Sequence, residues 1–346
     1  VAPLHRRQFL KLTAVGAGAL MTNSLFAQSN GNFTPTNAAC LLPDRLRKGD
    51  KVAILGLAGA LWNKDSLPVF KRVLENLGLV PSFAPSVYKH SGYLSGTDEE
   101  RLTDLKESML NPEIKAIFFS RGGWGCARLM EKIDWDWFRK NPKIIIGFSD
   151  ITYLLNAITQ TTGLVTFHGP MGNSGWNEFT ISAMQRTLFD ATPLQLSEDV
   201  KRLSVAKNNE LTAVSGSLVG GNLCVFTSML GSPFFPNCKG KILFLEEKGE
   251  EPYRIDRMLT SLRLAGVFDQ INGVILGQFN DCNPSSPDQS FSLMQVFEMH
   301  FAEYDFPVFC DFPFGHTANK WSIPLGVELE FDSNNGALRY VAPALK

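Results

Sequence analysis

Lys143-Ile144-Ile145-Ile146-Gly147-Phe148-Ser149-Asp150-Ile151-Thr152 is the stretch whose reading decides the fold. Three consecutive isoleucines predict a short buried strand. Gly147 breaks the run, and the spacing of Ile151, Leu154, Leu155 and Ile158 predicts a helix that starts just past Ser149. A serine on so tight a strand-to-helix turn is held out of the sheet with its hydroxyl exposed. Amides at the helix N-terminus point toward any oxyanion that forms there. The stretch approaches the hydrolase elbow G-x-S-x-G, with Ile151 where the last glycine should stand. Serine also caps helices well, so at this point catalysis and capping are both open.

Outward from this turn, strands alternate with helices. The pattern predicts strands over 52–57, 116–120 and 164–167, a helix opened by Asp65, Ser66 and Pro68, and a second helix behind a Thr97/Glu100 capping box. Such alternation indicates a mostly parallel α/β sheet, whose ligands lie at the carboxyl ends of its strands. Arg121-Gly122-Gly123-Trp124-Gly125, Ser149 and His168 all stand at such ends. Residues 176–212 are less regular and read as a connection. Beyond them, Gly220-Gly221-Asn222 is expected to start a helix, 241–245 a strand ending at Glu246-Glu247, and Asn335-Gly336 a hairpin turn. The expected architecture is α/β: an N-terminal mostly parallel sheet domain over 48–175 and a second α/β domain over 213–346, with an active site at their interface.

The beginning of the chain reads differently. His5-Arg6-Arg7-Gln8-Phe9-Leu10-Lys11 precedes a weakly apolar run and a small-residue site ending at Ala27, as expected of a twin-arginine export signal over 1–27. A polar linker over 28–47 follows. The apolar run is too short and too rich in Gly and Ala to span a bilayer comfortably, so export is expected rather than stable membrane insertion. A net charge of −1 in 346 residues gives no electrostatic reason to expect nucleic acid. Six cysteines without C-x-x-C spacing argue against zinc. Cys126, Cys224 and Cys310 are expected to be core thiols. No metal and no cofactor is expected.

A serine nucleophile needs a base, and the base needs a group that fixes its tautomer. His168 and His316 both follow strands and are nearly equal candidates on position. His90 sits in a polar loop, and His300 lies within a helix, where surface or packing is its simpler role. Of Glu246 and Glu247 only one can face a site, because side chains alternate across a strand. The other is expected to be a solvated charge.

Taken together, Gly96-Thr97-Asp98, Arg121 to Gly125, Gly147 to Thr152, Leu218 to Leu223, Phe244 to Glu247, Tyr253 to Leu259 and Phe314-Gly315-His316 resemble the LD-carboxypeptidase family of serine peptidases, which includes the microcin-immunity peptidases. The resemblance implies a Ser149–Glu246–His316 triad spanning two domains, with the amides of Gly123 and Asp150 as oxyanion donors. It also implies removal of a terminal D-alanine from murein tetrapeptides and leaves His168 a structural role. The export signal departs from the cytosolic habit of the family. A carboxypeptidase must also recognise a free carboxylate, and the planar fork of arginine suits that task. Arg121, Arg254 and Arg257 are the candidates, the last two sharing a helix face. The reading is thus an exported serine carboxypeptidase acting on murein peptides, with the oligomer left open, a homodimer included. Its rivals are a microcin-immunity-type amidase, in which Trp176 could stack on a nucleobase, and an exported binding protein without chemistry.

Overall fold

A computed structural model describes residues 40–346 except 191, 193, 197–199 and 205–212. The expected export signal over 1–27 therefore lies outside the described residues, as does most of the predicted linker. Along the chain the elements are β1 (Lys51–Leu55), α1 (Ser66–Asn76), β2 (Val80–Phe83), α2 (Asp98–Leu110), β3 (Ile114–Phe119), α3 (Asp136–Lys140), β4 (Ile144–Gly147), α4 (Ile151–Thr162) and β5 (Thr166–His168). There follow α5 (Glu178–Phe189), β6 (Gln195–Leu196), β7 (Lys201–Ser204), β8 (Ala213–Asn222), α6 (Leu223–Ser228), β9 (Ile242–Lys248), α7 (Pro252–Leu264), β10 (Gly273–Asn280) and α8 (Leu293–Phe301). The last strands are β11 (Val308–Cys310), β12 (Ile323–Leu325), β13 (Glu328–Asp332) and β14 (Leu338–Tyr340).

These form two sheets. The first has the order β12-β5-β4-β3-β1-β2 and is parallel except at β12. The second has the order β6-β14-β13-β8-β9-β10-β11-β7, with β8 to β11 parallel and antiparallel strands on both flanks. Ile144, Ile145 and Ile146 are wholly buried, as a parallel strand covered on both faces requires. Upstream, the Thr97/Glu100 capping box forms reciprocally: the Thr97 hydroxyl accepts from the Glu100 amide at 3.2 Å, and the Glu100 carboxylate accepts from the Thr97 amide at 2.8 Å.

Helix α4 joins the two sheets. Its residues Ile151, Leu154, Leu155 and Ile158 are buried, each contributing roughly 1.5–3 kcal/mol. Two polar residues one turn apart fasten it to β8. Thr152 Oγ1 accepts from the Asn222 amide at 3.1 Å, and the Asn156 side chain both donates to the Gly220 carbonyl at 2.8 Å and accepts from its amide at 3.2 Å. The helix that opens at the Ser149 turn is therefore tied in register to the second sheet.

Several expectations differ from what is observed. Gly220 and Gly221 do not start a helix. They continue β8 at φ of 127° and 126°, paired with Phe244 and Leu245, and α6 begins only at Leu223. An added Cβ on Gly221 would lie 2.5 Å from Thr152 Oγ1, so the close approach of α4 needs glycine there. The predicted linker is too long: Leu41 donates to the Gly163 carbonyl and Leu46 is buried against α5. Leucines interspersed among polar residues packed where a polar average predicted a free segment. Nor does the division at 213 hold for the whole C-terminal part, because β12 pairs antiparallel with β5 in the first sheet, Ile323 opposite His168. Cys224 is exposed rather than a core thiol, unlike Cys126 and Cys310. Among the described residues no helix is long and apolar enough to cross a membrane.

Candidate active site

Ser149 sits between β4 and α4 with φ of 60°, a left-handed conformation that costs a non-glycine residue about 1–3 kcal/mol. What holds the turn is Asp150. Its buried carboxylate accepts from the Cys126 amide at 2.8 Å and so ties the Arg121–Cys126 turn to the start of α4. Burial raises the Asp150 pKa, and the hydrogen bonds from Cys126 and the Gly125 amide oppose that rise. Gly122 is pressed against the serine: a Cβ there would lie 2.8 Å from Ser149 Oγ. Among the described residues the amides of Gly123 and Asp150 have no protein acceptor, and both residues border the same cleft as Ser149. Donors left free at that point can receive an oxyanion.

The second sheet supplies the imidazole. His316 Nδ1 lies 2.7 Å from Glu246 Oε2, and the His316 amide donates to the same oxygen at 3.1 Å. Asn280 Nδ2 donates to the His316 carbonyl, fixing the loop from the other side. With a carboxylate on Nδ1, the tautomer protonated there is favoured and Nε2 remains the basic nitrogen. Glu246 is fully buried, whereas His316 keeps about a fifth of its side chain exposed. Phe148, next to Ser149 in the chain, meets the His316 ring edge-on at 4.9 Å. Ser149 and His316 thus border one cleft of about 620 Å³ at the carboxyl ends of β4 and β9.

Glu247 is not the solvated charge expected of it. It is 4% exposed and accepts from Asn222 Nδ2 at 2.9 Å and the Cys224 amide at 2.8 Å, capping α6. Burial raises its pKa and those bonds oppose the rise. β9 runs on through Lys248, and Glu247 borders the cleft while held by Asn222 and the start of α6.

His168, the other candidate base, stands behind the cleft. It is 1% exposed and ringed by Phe148, Phe244 and Phe314, and among the described residues neither ring nitrogen has a partner. Burial pulls its pKa down to about 4 against the pull of Glu246, so the ring is neutral. His300 is buried and bonds Asp256 at 2.7 Å, and His90 packs on Trp62.

Of the candidate arginines, only Arg121 borders the cleft, and its guanidinium braces the turn by donating to the Ala60 and Gly122 carbonyls. Arg254 and Arg257 do share a face of α7, but that face is exposed. Both lie over Tyr253, and Arg254 pairs with Glu250. Periodicity predicts that two residues share a face, not which way the face looks. Trp176 stacks on Phe70 at 5.0 Å and is packing rather than a free platform, whereas Trp124 is exposed at the cleft. One cleft residue the sequence reading missed is Lys320, 5% exposed, whose ammonium lies 5.7 Å from the Phe148 ring centroid. Its signal was its place in a polar loop four residues after His316. Among the described residues no cluster of three or more His, Cys, Asp or Glu side chains is placed to hold a metal ion.

Comparison with known proteins points to one family. Residues 52–169 match the model of the LD-carboxypeptidase N-terminal domain and residues 215–331 that of the C-terminal domain. A probable murein peptide carboxypeptidase of Bacillus subtilis is 38% identical over 293 residues, covering 83% of this chain and 90% of the relative. The murein tetrapeptide carboxypeptidase of Pseudomonas aeruginosa is 32% identical over 82% of this chain and 94% of its own. A solved structure of the microcin-immunity protein MccF in complex with glutamyl sulfamoyl guanosine superposes with a TM-score of 0.80 at 25% identity, covering 88% of this chain and 100% of that one. The chain belongs to the LD-carboxypeptidase family and is a hydrolase of the serine-peptidase type.

Proposed function

We propose that this hydrolase is an exported carboxypeptidase that cleaves the amide bond to the terminal D-amino acid of murein tetrapeptides, using Ser149, His316 and Glu246. Ser149 Oγ attacks the scissile carbonyl carbon while His316 Nε2 takes the hydroxyl proton. The carbonyl oxygen, now an oxyanion, is received by the amides of Gly123 and Asp150. Collapse breaks the C–N bond, and the proton on His316 passes to the leaving amine. Water, deprotonated by the same imidazole, then hydrolyses the acyl-serine ester. Glu246 keeps the imidazole oriented and stabilises its charged form.

The observation that carries this reading is the His316 Nδ1–Glu246 contact of 2.7 Å at the edge of the cleft that also holds the strained Ser149. The names of the B. subtilis and P. aeruginosa relatives support the substrate class. Incubation of the purified protein with murein tri-, tetra- and pentapeptides, followed by mass analysis, is expected to convert tetrapeptide to tripeptide and to leave tripeptide intact. An intact tetrapeptide, or cleavage at an internal bond, would overturn the substrate assignment.

Export rests on the twin-arginine sequence Arg6-Arg7 and its apolar sequel. Fractionated cells are expected to hold the protein outside the cytoplasm, and replacement of both arginines by lysine is expected to return it there. An unchanged distribution would remove export from the reading.

A further inference from the structure

Among the described residues, three Lys and Arg side chains border the cleft: Arg121, Lys248 and Lys320. Arg121 is engaged with two carbonyls and Lys248 is exposed to water. Lys320 is different. It is 5% exposed and yet borders the cleft. The ammonium donates to the Thr317 carbonyl and finds no carboxylate among the described residues. An ammonium carries three donors, so two remain for something that enters the cleft. Burial makes this ammonium more acidic, with Glu246 opposing, and an anion arriving beside it would favour its charged form.

Position says which anion. Phe148 has the His316 ring at one edge and the Lys320 ammonium over it, so the imidazole and the ammonium flank a single ring next to Ser149. In the proposed reaction His316 delivers its proton to the leaving nitrogen. The carboxylate of the leaving amino acid is two bonds from that nitrogen and must lie on the His316 side of the nucleophile. Arg121 is already engaged with the Ala60 and Gly122 carbonyls.

We propose that Lys320 is the recognition site for the free C-terminal carboxylate of the substrate, and so confines this enzyme to exopeptidase cleavage. This rests on the serine-carboxypeptidase reading above and replaces the arginines as its specificity element. The ligand class is a peptide with a free terminal α-carboxylate. The amide-capped or chain-extended peptide is discriminated against because it leaves a desolvated ammonium unpaired.

The test compares a tetrapeptide ending in a free acid with the same peptide ending in a carboxamide, on the full chain. Lys320→Met is expected to lower the acid-to-amide ratio of kcat/KM about 100-fold, mostly through KM, as befits loss of a charge-assisted hydrogen bond. Lys320→Arg is expected to keep most of the preference. Lys320→Gln serves in place of the methionine variant if that one does not fold. An acid-to-amide ratio that is unchanged in both Lys320→Met and Lys320→Gln overturns the proposal, and so does an equal loss on the two peptides. Binding to the Ser149→Ala protein, measured by calorimetry, separates this proposal from the one beneath it. Acid-selective binding that vanishes with Lys320→Met, in a protein whose wild type cleaves neither peptide, retains the carboxylate site and removes the peptidase reading. Binding without acid preference removes the carboxylate site.

Discussion

Replacing Ser149 by alanine is expected to abolish turnover while leaving the fold in place. The loss in kcat should be about 10⁴- to 10⁶-fold, the range for a nucleophile whose partners cannot act without it. Stability should change little. The hydroxyl makes no hydrogen bond within the described residues, and the turn is held by Asp150 and by α4 rather than by the serine side chain. Alanine meets the same left-handed strain as serine at φ of 60°. The measurement is release of the terminal amino acid, with thermal unfolding as the control. A serine-directed phosphonate should label the wild type and not the variant. Retention of more than about 1% of the wild-type rate, against the loss expected of a nucleophile, would take Ser149 out of the chemistry.

The second large effect separates the two histidines. His316→Ala should lower kcat by about 10³- to 10⁵-fold, because it removes both the base and the partner of a fully buried carboxylate. His168→Ala should act mainly on stability, by roughly 2–4 kcal/mol for a cavity among three aromatic rings. It should cost far less in rate. The buried imidazole also sets a pH dependence. The folded chain holds His168 neutral down to about 4, while the unfolded chain takes up the proton near 6.5. Between those values the unfolded state binds more protons, so stability falls as pH drops from about 6.5 to about 4, by an amount on the order of 3 kcal/mol. Rates and melting curves of both variants decide the matter. A greater rate loss in His168→Ala than in His316→Ala would reverse the assignment of the base.

The strand–turn–helix about Ser149 was legible because three signals coincide within ten residues: an isoleucine run, a glycine break and helical spacing. Glu246 was legible only as one of two. Strand alternation separates Glu246 from Glu247, yet nothing local says that β9 extends through both and that Asn222 and α6 wait to accept the second. The arginines show the same limit from another side, since helical spacing pairs Arg254 with Arg257 without orienting α7 on its sheet. Ile323-Pro324-Leu325 is too short for any period to register, and its partner β5 stands more than 150 residues earlier. Lys320 lay in the loop between His316 and that strand, so its burial follows from a pairing that no local pattern could announce.

The return of β12 to the first sheet bears on how the chain is made. During synthesis the segment bearing Ser149 emerges early, but β5 has a bare edge until residues 323–325 arrive to pair with it, Ile323 opposite His168. Closing that edge spans most of the distance from β5 to the end of the chain, a non-local contact of the kind that slows folding. His316 precedes β12 by only seven residues. The step that seals the sheet carrying Ser149 therefore follows directly upon the arrival of His316, and a nascent chain stopped short of Ile323 lacks the closed sheet and displays an unpaired strand to its neighbours.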